Sequence, residues 1–278
     1  EPKMIKGLLT FSVWMFLVML FEQLQYNSGQ FIIGLFQGTE VIAIWGIAMI
    51  FILNYRSLST AITNVFLPSY ISDNFKKDEN SIANTTYRMT RLQGYVLFTI
   101  LANFILFGQL FIDLWAGEEY HDAYIAALIV MIPMTLALLL DFSYLIQIAT
   151  NKLKYRIITL FSGFAISFIV VFLVKGITLI SYAYVIAGSM IIGQIVCVIF
   201  YIIRHINVNI LRLAKELAII LCPPALLTGL SFFILHSINI SVWTLVVVFL
   251  LFNVLLVGGY WLVASSDEKR MLIGSIKK

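Results

Sequence analysis

Residues 7–33 read GLLTFSVWMFLVMLFEQLQYNSGQFII. Coiled into a helix at about 1.5 Å per residue, this stretch is longer than the roughly 30 Å of hydrocarbon in a bilayer. Its first half is almost wholly apolar, and polar residues gather only toward its end. A buried helix of a soluble protein could imitate one such run. Seven more follow, at roughly residues 41–67, 92–112, 123–148, 157–174, 178–203, 217–236 and 241–263. Barrel strands would be about ten residues long with strict alternation, which these runs lack. The pattern is that of an all-α integral membrane protein with about eight transmembrane helices.

Composition agrees. The chain is 61% hydrophobic and 12% charged, against about 25% charged in soluble domains, and its mean hydropathy is +0.98. No core of a 278-residue chain could hide so much apolar surface, so lipid must solvate part of it. Cys197 and Cys222 fall inside separate apolar runs without a ligand-spaced partner and read as packing residues. The chain opens on Glu1-Pro2-Lys3-Met4 with no signal-peptide pattern, and further residues upstream of Glu1 are expected.

Basic residues set the orientation, because Lys and Arg are retained on the cytoplasmic side. Of the 18 Lys and Arg residues, 16 fall in one alternating set of connections, from Lys3 and Lys6 through Lys152, Lys154 and Arg156 to Lys277 and Lys278. Lys175 alone lies on the opposite side, and Arg56 lies within a span. Both ends are therefore expected in the cytoplasm. Indole rings favour the interface, which suits Trp45, Trp115 and Trp243 at the outer boundary and Trp261 at the inner one. Trp14, about seven residues into the first span, is out of place and reads as a packing residue or a cavity residue.

Two cytoplasmic connections have character of their own. Residues 204–217 place Ile206, Ile210, Leu213 and Leu217 at helical spacing among Asn209, Arg212 and Lys215, which suits a short basic helix on the anionic inner leaflet. Residues 70–91 are more polar and predict a loop with a weak amphipathic helix. Either could equally be a plain solvated connector.

A charge near mid-membrane costs about 2.5–3.5 kcal/mol on insertion scales, so intramembrane charges mark where function should be sought. Glu22, Arg56 and Asp141 qualify. In the first span, Glu22, Gln25, Tyr26 and Gly29 follow the spacing of one helix face, and Gln30 extends it. A stripe this polar cannot face lipid; it reads as the lining of an aqueous cavity, with a helix–helix polar contact as the alternative. The second span adds Asn54 and Arg56, followed by Ser57, Ser59, Thr60, Thr63 and Asn64. Counted from the span boundaries, Glu22 and Arg56 lie about 14 Å apart in depth, while Asp141 falls near Arg56's level. The expected ion pair is Arg56–Asp141, unless Arg56 snorkels to the inner headgroups. An arginine suits an anionic ligand, since its guanidinium stays charged and donates paired hydrogen bonds to phosphate oxygens.

Pro133 and Pro223-Pro224 should kink the fourth and seventh spans, and Gly188 and Gly193 should permit close packing in the sixth. The sequence contains no phosphate-binding glycine loop, no zinc-ligand spacing and no nucleophile elbow. It therefore points to no cofactor, no metal, no nucleic-acid partner and no enzyme.

Four stretches carry a family resemblance. Gln30-Phe31-Ile32-Ile33-Gly34-Leu35-Phe36-Gln37-Gly38 with Val41-Ile42-Ala43-Ile44-Trp45-Gly46 is similar to the junction between paired spans in Wzx-type polysaccharide flippases of the multidrug/oligosaccharidyl-lipid/polysaccharide (MOP) exporter superfamily. Phe66-Leu67-Pro68-Ser69-Tyr70 and Gly108-Gln109-Leu110-Phe111-Ile112-Asp113-Leu114-Trp115-Ala116-Gly117 resemble later segments of the same family, as does Ile148-Ala149-Thr150-Asn151-Lys152. Gln30 stands where many relatives carry an acidic residue. The resemblance implies the C-terminal part of such an exporter, with a MATE-like second lobe over residues 1–203. Residues 204–278 would then be an amphipathic linker plus a terminal helix pair. It implies transport of an undecaprenyl-diphosphate-linked oligosaccharide across the bacterial inner membrane, with Glu22, Gln25, Tyr26, Gln30, Asn54, Arg56 and Asp141 near the substrate cavity. The partners it implies are membrane lipid, the lipid-linked oligosaccharide and other polysaccharide-assembly membrane proteins. A MATE-like multidrug antiporter is the competing transport reading. A membrane polysaccharide polymerase or ligase would call for a large outer loop bearing several Arg and His residues, and the longest one here is short and acidic.

Overall fold

The computed structural model describes residues 2–76, 79–174, 178–205, 208–236, 242–264 and 269. Eight of its helical segments are long and apolar enough to cross a membrane, and the described residues form an all-α, multi-pass bundle. Helix α1 (Pro2–Gln37) turns at Gly38 into α2 (Thr39–Lys76). Gly38 has φ +89°, a left-handed conformation that glycine adopts without a Cβ penalty, so a single residue reverses the chain. Helix α3 (Glu79–Trp115) leads through a short 3₁₀ turn to α4 (Asp122–Leu139) and α5 (Phe142–Ala149). Next come α6 (Lys154–Leu173), α7 (Leu179–Ser189), a π-helical segment (Met190–Val196) and α8 (Cys197–His205). Helices α9 (Ile210–His236) and α10 (Val242–Val263) follow.

The most enclosed helix is α4, whose Ala123, Ala126, Ala127 and Ala137 are all buried. Small side chains let neighbouring backbones approach where lipid offers no hydrophobic drive to do so. Around α4 pack Trp45, Ile52 and Tyr55 of α2, Leu97 of α3, and Tyr182 and Ile186 of α7. The outer faces of α6, α9 and α10 are apolar and open, as at Phe172, Leu230 and Leu262. Helices α9 and α10 dock on α3 partly through polar contacts. Asn103 and Asn253 exchange amide hydrogen bonds of 3.1 and 3.0 Å, and the Thr99 hydroxyl donates to the Tyr260 oxygen at 3.2 Å.

Several expectations need correction. The 70–91 segment is not a loop with a separate helix: α2 runs on to Lys76 and α3 begins at Glu79, and only residues 77 and 78 lie outside the described residues. The basic segment at 204–217 is not a separate surface helix, because Ile210 already begins the continuous α9. Leu213 turns inward to pack with Tyr87 and Val208, Arg212 lies over the Tyr87 ring at 4.4 Å, and Ile206 lies outside the described residues.

Helix α4 passes through Pro133. The fourth span breaks at Leu140–Asp141, where Asp141 N–H donates to Leu138 O and Ser143 N–H to Leu140 O, three residues back. Pro223 and Pro224 likewise lie within an unbroken α9. Trp45 faces the interior of the bundle. It is 2% exposed, packs edge-on against Tyr182 at 5.1 Å, and sits over Gly29, where a Cβ would come within 2.6 Å of its ring nitrogen. Trp14 meets Lys154, whose Nζ lies 5.4 Å from the ring centroid. The Trp243 side chain lies outside the described residues.

Candidate functional site

The hairpin at Gly38 gives α1 and α2 a common origin. Measured from that turn, Glu22 and Arg56 lie about 24 and about 27 Å along their helices, so they sit at one level. Arg56 Nη2 donates to Glu22 Oε2 at 2.6 Å. The ends of the two apolar runs do not mark a common depth, so the expected separation of about 14 Å does not hold. Both helices extend past those runs and meet at one glycine.

The expected Arg56–Asp141 pair gives way to a different partner. Asp141, at the break between α4 and α5, accepts from Arg156 Nη1 at 3.2 Å. Arg156 Nη2 also donates to the second oxygen of Glu22 at 3.1 Å. Four alternating charges therefore run Arg56–Glu22–Arg156–Asp141, drawn from α2, α1, α6 and the α4–α5 break. Their formal charges cancel. That matters in a low-dielectric interior, where one stranded charge costs several kcal/mol.

The chain of charges has an open end and a closed end. Side-chain exposure is 24% at Arg56 and 19% at Glu22, then 9% at Arg156 and 11% at Asp141. Tyr26 lies 4.6 Å from the Arg56 guanidinium and Tyr144 4.8 Å from that of Arg156, each offering a ring face to a cation. Arg56 is thus held from two sides and still reachable from outside the bundle.

The first-span stripe divides in two. Gln25 is 2% exposed and accepts from Gln194 Nε2 at 2.9 Å, beside Gly163 of α6. Gln25 is therefore a helix–helix contact and not a cavity residue, and Gly29 is the seat of Trp45. The π-helical turn at 190–196 carries Gln194; such bulges re-aim side chains inside a helix. Tyr26 is half-buried, whereas Gln30 and Asn54 are exposed, Asn54 bonding back to Ile50 O at 2.8 Å.

The open polar face is formed by Gln23, Asn27 and Gln30 on α1 with Asn54, Ser57 and Asn64 on α2, all exposed. Spacings of three, four and seven keep each set on one helix face. Hydrocarbon offers such groups no hydrogen-bond partners, so this face borders water or protein. In a protein relieved of Cys197 and Cys222, cysteines at Gln30 and Asn64 should react with a membrane-impermeant thiol reagent in opened membranes. A cysteine at the apolar Leu230 of α9 should stay unreactive. Equal protection at all three positions would show that this face is covered.

Arg156 escaped the sequence reading because it stands beside Lys152 and Lys154 in a run typical of a cytoplasmic loop. One signal was available: Arg156, Thr159, Gly163 and Ser167 recur at helical spacing as a small, polar face, and all four are buried. Among the described residues, no three His, Cys, Asp or Glu side chains are grouped to hold a metal.

Residues 1–125 match a protein-family model described as polysaccharide biosynthesis protein. No curated protein and no solved structure matches the chain. The matched stretch contains both faces of the α1–α2 hairpin, with Glu22, Tyr26 and Arg56. The chain is a multi-pass membrane protein whose first 125 residues are similar to a polysaccharide biosynthesis protein family.

Proposed function

We propose that this chain supplies a wall of a water-filled path by which a lipid-linked oligosaccharide crosses the bacterial inner membrane. The observation that carries the reading is the exposed polar face of the α1–α2 hairpin, with the half-open Arg56 on its margin. A sugar head group needs hydrogen-bond partners across about 30 Å of hydrocarbon, and rows of amides and hydroxyls supply them. Its prenyl tail can remain in lipid throughout. Arg56 is the charge available to a diphosphate, and undecaprenyl diphosphate is the carrier proposed.

In this reading the work is transport by alternating access and not catalysis. Residues 1–203 act as a six-helix lobe, and 204–278 join it to a final helix pair. The Lys and Arg asymmetry supports a cytoplasmic location for both ends of the segment, and in this reading the head group passes from the inner leaflet to the outer one. A cation-coupled multidrug antiporter fits less well, because an ion site wants an unpaired carboxylate and both Glu22 and Asp141 are held by arginines.

The intact protein, expressed in a host lacking its own repeat-unit flippase, should restore delivery of polysaccharide to the cell surface. Absence of delivery with the protein inserted at normal abundance would overturn the proposal.

A further inference from the structure

The open end of the charge chain poses a problem of charge balance. For an anion to use Arg56, it must take the guanidinium away from Glu22. A buried carboxylate stripped of its partner is strongly unfavourable, so a simple Arg–Glu pair would resist the exchange. Glu22 is not in a simple pair. Its Oε2 accepts from Arg56 at 2.6 Å, and its Oε1 accepts from Arg156 at 3.1 Å. Arg156 is in turn fixed by Asp141 at 3.2 Å and by the Tyr144 ring at 4.8 Å.

We infer that Arg156 is a positioning residue for anion binding at Arg56: it retains Glu22 through one oxygen so that a phosphate can displace the other. The inference rests on the transport reading above. The exchange balances: one ionic hydrogen bond from Arg56 to a carboxylate is replaced by one to a phosphate oxygen. Glu22 stays charged and paired throughout, and no proton has to move. Asp141 acts one step further back, since without it Arg156 would be free to follow Glu22 or to bind the anion itself. The exposure gradient agrees, because the exchangeable pair is the open one and the holding pair is the closed one.

The test uses the intact protein in nanodiscs of neutral phospholipid, with farnesyl diphosphate as the probe. Binding should be lost in Arg56→Ala. Inorganic pyrophosphate should compete, because the group recognised is the phosphate. The charge-balanced double variant Asp141→Asn/Arg156→Met removes the holding pair without leaving a lone charge in its place. It should bind the probe at least roughly tenfold more weakly, since Glu22 then has Arg56 alone. Adding Glu22→Gln should return affinity to the wild-type value or better, because no carboxylate remains to be stranded. Glu22→Gln by itself should tighten binding.

A merely structural role for Arg156 would not give this reversal. Wild-type affinity in the double variant, no recovery on adding Glu22→Gln, or weaker binding in Glu22→Gln alone would each overturn the inference while leaving the transport reading in place. Probe binding that ignores Arg56, or that pyrophosphate fails to displace, would remove the anion site from both.

Discussion

An Arg56→Ala variant should lose delivery of polysaccharide to the cell surface by at least about tenfold, while its abundance in the membrane stays close to wild type. Both halves follow from the charge chain. Arg56 is the only member of the chain both cationic and substantially exposed, at 24% of its side chain, so it is the group a phosphate can reach. Hydrogen bonds to charged groups are worth about 1.5–3 kcal/mol each, enough to account for the loss. The protein should still fold, because removing Arg56 leaves Glu22 paired with Arg156 at 3.1 Å. Arg56→Lys should recover only part of the activity, since an ammonium lacks the planar fork that matches a phosphate edge and lies less well over the Tyr26 ring. Surface polysaccharide measured by antibody, alongside immunoblots of isolated membranes, checks both halves. Normal delivery by Arg56→Ala would exclude this residue from the mechanism.

The sequence revealed the spans and concealed the contacts. A bilayer imposes one length on every crossing helix, so eight apolar runs were readable without any knowledge of packing. The intramembrane charges Glu22, Arg56 and Asp141 were visible for the same reason: each is costly and therefore conspicuous. Their pairing was not visible, because depth had to be measured from apolar boundaries that helices α1 and α2 overrun before meeting at Gly38. Arg156 was concealed by its neighbours, since a basic residue two positions after Lys154 looks like any cytoplasmic anchor.

Rotation about a helix axis was legible only in part. The stripe through Glu22, Gln25, Tyr26 and Gly29 was real, yet it spans an arc wide enough to straddle a buried and an open face. Trp45 turns inward for a general reason. An indole near a span end favours the interface only where no neighbour offers it a cleft, and Gly29 offers one. The break at Asp141 had no local signature beyond the acid itself.

Gly193 and Gly188 looked equivalent in the sequence, both being glycines in the sixth span, and their substitutions should differ sharply. At Gly188 an added Cβ meets nothing within 4 Å, whereas at Gly193 it would lie 2.6 Å from both Cα and N of Gly163 and 3.1 Å from Thr159 O. All three neighbours of Gly193 are backbone atoms, which cannot swing aside as a side chain can. Forcing them apart would separate α6 from the π-helical segment along the seam that carries Gln194 against Gln25. It would also shift Arg156, one turn below Gly163's neighbour Thr159. Overpacking a well-fitted interior costs about 1–3 kcal/mol, and a clash confined to backbone should reach or exceed the top of that range. Gly193→Val is therefore expected to lower the thermal midpoint of the purified protein and its membrane abundance together, and transport with them. Gly188→Val should leave all three near wild type. Because Arg56→Ala spares abundance and Gly193→Val does not, the two variants separate loss of the anion-binding group from loss of the frame that holds it. A Gly193→Val protein as stable as wild type would mean that α6 and the sixth span do not meet along this seam, and the placement of Arg156 beside Glu22 would fall with it.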